Sequence, residues 1–426
     1  MRIPSRNKHL LFVLIALITT VVATEGILQI MYRLSPTAQF HLSLPGTVSI
    51  IHDDLLQWRG HPGHPEHDRN GFRNKSVPPQ ADIVALGDSQ TYGYSVEPHQ
   101  AWPQQLAQIS GVTSYTMAYG GYGPVHSLLL WDEVTQLEPK LVIEAMYSGN
   151  DLFEAFKLVY YQNKAPELKS TDPALVQAIN KAESIETIKD EIDGVYWMGS
   201  PPVQWQPSGP RMRQIISQHC RLYGLLRAVK LAAERTVNAE PTDPDFQTDW
   251  QANKQSALSN SGYCVAFEYD SFKTVMNPLC RSYSVNLDDP RIAEGHRIAL
   301  RANRHMAMKA QKAGIQYLVV LIPTKELVFK NVVRRSGQKM PPAYDDVIER
   351  EEQMWLATKQ YFREHHIPFV DPLDALRQRL TDRHQPFFMS LDTHLNPEGH
   401  RTIARLLQTQ LTGNKTLHLV KLTSVP

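Results

Sequence analysis

The stretch Ile83-Val84-Ala85-Leu86-Gly87-Asp88-Ser89-Gln90-Thr91 decides how the rest of the chain is read. Four consecutive apolar residues fit a short strand buried on both faces, as strands of a parallel sheet are. Gly-Asp-Ser then turns the chain where that strand ends. In open α/β sheets the carboxyl ends of the strands form the rim on which ligands bind. Ser89 is thereby delivered to the rim as a candidate nucleophile, which needs a base and oxyanion donors from elsewhere.

The same rhythm repeats downstream. Residues 98–109 have helical spacing through Trp102, Leu106 and Ile109, and 112–117 read as a second strand. Pro124 stands at the first position of a helix containing Leu128-Leu129-Leu130 and Val134. A third strand opens with Leu141-Val142-Ile143 and runs into Ser148-Gly149-Asn150-Asp151. Residues 152–290 break the pattern: they are polar, hold Pro201-Pro202, Pro207, Pro210, Pro241 and Pro244, and show helix only in patches such as 211–235. They read as an insertion or cap. The rhythm returns with a helix over 291–313 closed by Gly314, a strand over 317–322, a long helix over 343–364 and a short strand at Pro368-Phe369-Val370. Asn396-Pro397 then starts a terminal helix through 402–411. Short apolar strands alternating with helices predict a parallel sheet covered on both faces.

Upstream, the N-terminus has a different character. Arg2, Arg6 and Lys8 precede an uncharged run over 10–24, and apolar residues resume after Glu25 as far as Tyr32. Residues 10–32 are long enough to cross a bilayer core of about 30 Å at about 1.5 Å per residue. The basic flank keeps the N-terminus cytoplasmic and puts everything after Arg33 outside. Val21-Val22-Ala23 also suits a cleaved signal peptide. An uncleaved anchor explains the second apolar stretch better, and both readings give the same compartment. Residues 34–78 form an irregular juxtamembrane segment punctuated by proline, including Pro36, Pro45, Pro62, Pro65 and Pro78-Pro79. His61, His64 and His67 lie there, but glycine and proline between them argue against a metal site. The expected layout is an anchor over 1–33, the segment 34–78, a catalytic domain over 79–412 containing the insertion, and a tail over 413–426.

At 426 residues, 42% hydrophobic and 20% charged, the chain can bury a sizeable core. A net charge of +1 without a long basic tract argues against nucleic acid as a partner. Three cysteines are too few for a disulfide framework. Cys264 and Cys280 flank a hairpin-like segment that a disulfide would close in an oxidising space; the competing reading is three free thiols.

Acyl transfer at a serine needs a base held by a carboxylate and donors for the oxyanion. Gly120-Gly121-Tyr122-Gly123 follows the second strand, where backbone N–H groups are accessible, and Asn150 ends the third with a side-chain amide. Leu391-Asp392-Thr393-His394-Leu395-Asn396 precedes the terminal helix and supplies a histidine and a carboxylate on one loop. His400 reads as a neighbour of the helix start.

In these blocks the chain resembles the SGNH (GDSL-type) hydrolase family: Gly87-Asp88-Ser89, Gly121 within Gly-Gly-Tyr-Gly-Pro, Gly149-Asn150-Asp151, and Asp392-Thr393-His394-Leu395-Asn396. Asp88-Ser89-Gln90-Thr91-Tyr92-Gly93, Ala101-Trp102-Pro103, Asn70-Gly71-Phe72-Arg73 and Ile322-Pro323-Thr324-Lys325-Glu326 look like a bacterial membrane-anchored branch related to polysaccharide O-acetylation and deacetylation proteins. The resemblance covers about 79–151 and 291–412. It implies a three-layer α/β/α flavodoxin-like core in which Ser89 attacks an ester carbonyl, His394 is base then acid, and Asp392 orients it. The N–H groups of Ser89 and Gly121 and the Asn150 side chain would hold the oxyanion. Two departures stand out: Asp and His are two apart where three is commoner, and Thr116 stands where the second block often has Asn. The expected protein is an anchored extracytoplasmic serine esterase for acyl, chiefly O-acetyl, esters of an envelope polysaccharide, without metal or cofactor. An O-acetyltransferase and a non-catalytic glycan-binding scaffold of the polysaccharide machinery are the alternatives.

Overall fold

Five strands carry the architecture, and burial explains their order. The computed structural model describes residues 5–43, 50–183, 216, 219–237 and 249–413. In chain order the strands are β1 (Ile50–Asp53), β2 (Gln57–Gly60), β3 (Ile83–Gly87), β4 (Ser114–Ala118), β5 (Leu141–Tyr147), β6 (Val265–Tyr269), β7 (Phe272–Met276), β8 (Gln316–Ile322) and β9 (Phe369–Val370). One sheet has the order β4-β3-β5-β8-β9, with every pairing parallel. This is the flavodoxin-like order, in which the direction of winding reverses beside β3. Every residue of β3 and β5 is buried, as strands covered by helices on both faces require.

The helices form two groups. Trp102–Ser110 packs with Pro397–Gly413; Pro290–Ala313 packs with Asp151–Tyr160 and Pro124–Leu129. Asp151–Tyr160, at the start of the segment read as an insertion, is thus a core helix. It buries Leu152, Phe153, Phe156 and Val159. The observed elements match the sequence pattern to within a few residues. Among the exceptions are residues 98–109, where a single turn of 3-10 helix (Pro98–Gln100) precedes Trp102–Ser110 because Ala101 between them is extended, and the helix expected from Pro124 to Val134, which is observed as Pro124–Leu129 and Trp131–Thr135.

The chain divides into two compact units, one of Met1–Gly71 with Gly199–Thr242, the other of Phe72–Met198 with Asp243–Pro426. The first holds the apolar helix Ser5–Leu34, of which His9–Leu34 is long and apolar enough to cross a membrane. The segment expected to be irregular contains a short helix, Pro36–Leu42, capped by Ser35, and the β1–β2 hairpin. His61 and His64 use their Nδ1 atoms to accept from the Gly63 and Glu66 N–H groups, and His67 Nδ1 faces the His61 carbonyl at 3.0 Å. These rings therefore serve the turn itself. Of the predicted features, Pro45, the prolines between 201 and 244, residues 211–215 and the tail from 414 lie outside the described residues.

The segment 265–279 does form a hairpin, β6–β7. Cys264 and Cys280 are nonetheless free thiols, and the disulfide expected as one possibility is absent. Val265 faces Met276, so Cys264 lies just beyond the end of the ladder, whereas Cys280 sits on the helix Pro278–Ser284 that follows.

Candidate active site

The ladder places the first three blocks on one edge. Gly87 is in register with Ala118 on one side and Ala145 on the other. Ser89, Gly121 and Asn150 therefore all follow strand ends at the same rim. Gly87 has φ +138°, and a Cβ there would lie 2.8 Å from the Ala145 carbonyl oxygen, so glycine alone permits the turn. Asp88 then caps the short helix Ser89–Tyr92, its Oδ1 accepting from the Gln90 N–H at 2.9 Å.

At this helix start the Ser89 N–H has no intrahelical acceptor. Gly121, with φ +77°, adopts the left-handed backbone that favours glycine. Neither N–H donates to an acceptor among the described residues. Asn150 is buried, its Oδ1 has no hydrogen-bond partner among the described residues, and its Nδ2 is the atom that would donate to an oxyanion. Two free N–H groups and an uncommitted amide are what an oxyanion hole requires.

The fourth block arrives by a different route. His394 Nδ1 meets Asp392 Oδ1 at 2.6 Å, and the same oxygen accepts from the His394 N–H at 2.9 Å. One carboxylate oxygen thus fixes both the ring and its backbone, which is how two-residue spacing suffices. The imidazole and the nearby backbone and Ser95 bonds hold the Asp392 carboxyl far below the usual range against the opposing effect of its burial. His394 keeps 22% of its side-chain surface exposed, so substrate can reach it. Tyr94 stacks on the ring at 5.6 Å between centroids.

Three side chains not singled out from sequence hold this loop to the rim. Gln90, fully buried beside Ser89, donates to the Thr393 carbonyl and accepts from the Leu395 N–H, both at 3.1 Å. It clamps the residues on either side of His394 onto the helix that begins with Ser89. Arg281 donates to the Gly149 carbonyl at 2.6 Å and to Thr393 Oγ1 at 3.3 Å, tying the Asn150 turn to the His394 loop. Lys325, buried after β8, donates to the carbonyls of Val275, Phe388 and Ser390 at 3.2, 3.1 and 3.0 Å. Burial pushes its ammonium down to about 8, opposed by the charge of Asp392. Gln90 and Lys325 carried a signal, a polar residue just past an apolar strand. Arg281 carried none.

The hairpin in the insertion supports the same loop. The Val275 N–H donates to the Met389 carbonyl at 3.0 Å, and Thr274 Oγ1 to that of Phe388 at 3.1 Å. Met389 and Leu391 also pack against the buried cluster of Trp250, Ala257, Cys264 and Val275. Part of the segment read as an insertion or cap thus buttresses this loop.

Ser89 Oγ donates to Asp88 Oδ2 at 3.3 Å. The hydroxyl proton is therefore directed at Asp88 rather than at His394. Burial raises Asp88 to about 6, against the Gln90 N–H and the charge of His394. His400 is buried, its Nδ1 accepting from the Trp102 N–H at 3.2 Å, and burial lowers it to about 3. It is a neutral structural acceptor, as its place near the helix start predicted. No cluster of potential metal ligands occurs among the described residues.

The model of the GDSL-like lipase/acylhydrolase family matches residues 85–251. That of the SGNH hydrolase-like domain of acetyltransferase AlgX matches residues 282–423. Ser89, Gly121 and Asn150 fall in the first match, Asp392 and His394 in the second. No curated protein matches the chain. Among solved structures, a lipolytic protein of the G-D-S-L family from Desulfitobacterium hafniense DCB-2 aligns at 12% identity, over 76% of this chain and 97% of its own, with a TM-score of 0.29. A GDSL-like lipase from Bacteroides thetaiotaomicron VPI-5482 aligns at 11% identity, over 78% and 87%, with a TM-score of 0.30.

Proposed function

For a chain that carries a GDSL-like, SGNH-type hydrolase domain, we propose a membrane-anchored, extracytoplasmic enzyme that cleaves acyl esters, chiefly O-acetyl esters of an envelope polysaccharide. The observation that carries the reading is the His394–Asp392 pair at 2.6 Å, on a loop that Gln90 holds against the Ser89 helix.

In the proposed reaction Ser89 Oγ bonds to the ester carbonyl carbon while His394 Nε2 takes its proton. The carbonyl electron pair moves onto oxygen, where the N–H groups of Ser89 and Gly121 and the Asn150 amide receive it. Collapse breaks the carbon–oxygen ester bond, and the imidazolium returns the proton to the departing alkoxide. Asp392 keeps the proton on Nδ1 and offsets the imidazolium charge. A second hydroxyl, deprotonated by His394, then bonds to the acyl carbon; the Ser89 Oγ–carbon bond breaks and the imidazolium returns the proton to Ser89 Oγ.

When that hydroxyl belongs to water the enzyme is an esterase; when it belongs to a sugar the enzyme is an acetyltransferase. The match of 282–423 to acetyltransferase AlgX supports keeping the second reading. Full-length protein in detergent, given a chromogenic acetyl ester with and without an O-deacetylated glycan, separates them. The esterase reading expects release of acetate at the same rate in both arms and its loss in Ser89→Ala. Acetylated glycan accumulating at the expense of acetate supports the transferase. Turnover that survives Ser89→Ala contradicts both. The anchor is checked by protease accessibility in spheroplasts: residues beyond Leu34 should be digested from the outside.

A further inference from the structure

The apolar helix Ser5–Leu34 and the helix Arg221–Val237 lie in the same compact unit, and a carboxylate joins them. Glu25 Oε1 accepts from the Arg221 N–H at 2.8 Å and from Gln29 Nε2 at 2.7 Å. Its Oε2 accepts from the Leu222 N–H at 2.8 Å and from Cys220 Sγ at 3.4 Å. Gln29 Nε2 also donates to the His219 carbonyl at 2.6 Å. Glu25 thus satisfies the first N–H groups of the second helix, where the helix dipole favours a negative charge. Around this joint Leu28, Ala38 and Leu42 form a buried cluster, with Tyr32, Leu222 and Leu225 packed against it. The Arg221 guanidinium lies 3.7 Å over the Tyr32 ring. One face of residues 25–32, that of Glu25, Leu28, Gln29 and Tyr32, is therefore covered by Pro36–Leu42 and the first turns of Arg221–Val237, while Ile27, Ile30 and Met31 stay exposed.

Depth arithmetic says where this collar lies. The uncharged run over 10–24 rises only about 22 Å at about 1.5 Å per residue, whereas the hydrocarbon core is about 30 Å thick. The missing ~8 Å falls on the residues that follow, Glu25 among them. A charged side chain within a membrane is tolerated when it is paired, and the four acceptor contacts of Glu25 provide the pairing. The outside of the collar suits the same depth. Leu226 and Val229 are 60% and 58% exposed and lie about one turn apart, with the exposed Lys230 beside them. Apolar residues with a neighbouring lysine whose long stem lets its ammonium reach water are the pattern of a helix lying in an interface.

We propose that the collar is a second membrane contact, with the first turns of Arg221–Val237 seated in the outer headgroup–acyl boundary and Leu226 and Val229 against lipid. This rests on the anchored reading above. It commits the apolar face to the bilayer surface and makes an aqueous location the competing result.

The test uses the full chain in phosphatidylcholine vesicles, with a genetically encoded fluorescent amino acid at position 226, 229 or 18 in turn. Lipids brominated near the headgroup or near the acyl end quench from within the membrane, and iodide quenches from water. Positions 226 and 229 should lose emission to headgroup-side bromines and resist iodide, while position 18 responds to the acyl-end lipid. Quenching of 226 and 229 by iodide alone, with position 18 still quenched by lipid, overturns the collar and leaves the anchor standing. Position 18 quenched by iodide alone removes the anchor and the collar together.

Discussion

The two halves of the candidate site are placed by different forces. Ser89, Gly121 and Asn150 follow strand ends whose registers are fixed by the backbone ladder of a fully buried sheet. Asp392 and His394 sit on a loop outside the sheet, where the backbone ties are few, the Phe387–Leu395 bridge and the Val275 N–H bond to the Met389 carbonyl among them, and where Gln90, Arg281 and Lys325 add side-chain bonds from elsewhere. A backbone-set position tolerates changes in surrounding side chains. A side-chain-set position depends on a few buried polar groups, each of which leaves an unsatisfied partner when removed. The strand-end half should therefore respond only to changes at the reacting residues, and the loop half also to changes at a distance.

The largest effect that sharpens this contrast is on the strand-end half itself. Asn150→Ala should lower kcat by about 100- to 1000-fold, as loss of one oxyanion donor does, with KM and melting temperature little changed. Arg281→Met should lower kcat by roughly 10- to 100-fold, since the Gly149 carbonyl and Thr393 lose a shared donor and misplacement of about 1 Å is that costly. Steady-state kinetics on both variants compare the halves directly. If Arg281→Met leaves kcat intact, the loop is held without it.

Gln90→Leu comes next. It removes both bonds of the clamp, so kcat should fall about tenfold and the melting temperature should drop as well, because two backbone groups lose partners worth on the order of 1 kcal/mol each. Calorimetry and kinetics on the same preparation test whether the two losses occur together.

The smallest effect on activity concerns the sheet beneath. Glu144 lies buried in β5 with no well-formed hydrogen bond to either oxygen, although the Ser127 hydroxyl lies beside it. Burial raises its carboxyl from 4.5 to about 8. The folded chain therefore keeps a proton that the unfolded chain releases above 4.5. The stabilisation from the neutral acid is complete below that value and declines until pH reaches about 8. Glu144→Gln stays neutral throughout, so its melting temperature should match wild type near pH 5 and exceed it near pH 8, with kcat unchanged. Parallel melting curves for the two proteins would contradict the buried neutral acid.

This contrast also explains what the sequence disclosed. Apolar runs ending in Gly-Asp-Ser, Gly-Gly-Tyr-Gly and Gly-Asn-Asp are local patterns, and local patterns determine strands and their ends. The parallel order of the sheet and the residues on its rim were legible for that reason. Asp392 and His394 were legible as residue types at a helix start, where Asn396 does cap, its Oδ1 accepting from the Glu398 and Gly399 N–H groups. What holds them in place was not. Arg281 lies in a polar segment without periodicity, 112 residues from Thr393, and nothing local marks a residue whose partners are two distant loops. The role of the segment read as an insertion or cap over 152–290 was illegible for a similar reason. Composition identifies a segment that leaves the sheet, but not the β6–β7 hairpin returning to support the loop over 385–395.

The central claim is that Ser89 is a nucleophile activated by His394 across these two halves. Reaction of the full-length protein with a fluorophosphonate, followed by mass spectrometry of its peptides, tests it most directly. The account predicts one adduct, on Ser89, formed at least about a hundredfold more slowly in His394→Ala. An adduct on another residue, or labelling of Ser89 at the wild-type rate in His394→Ala, would contradict it.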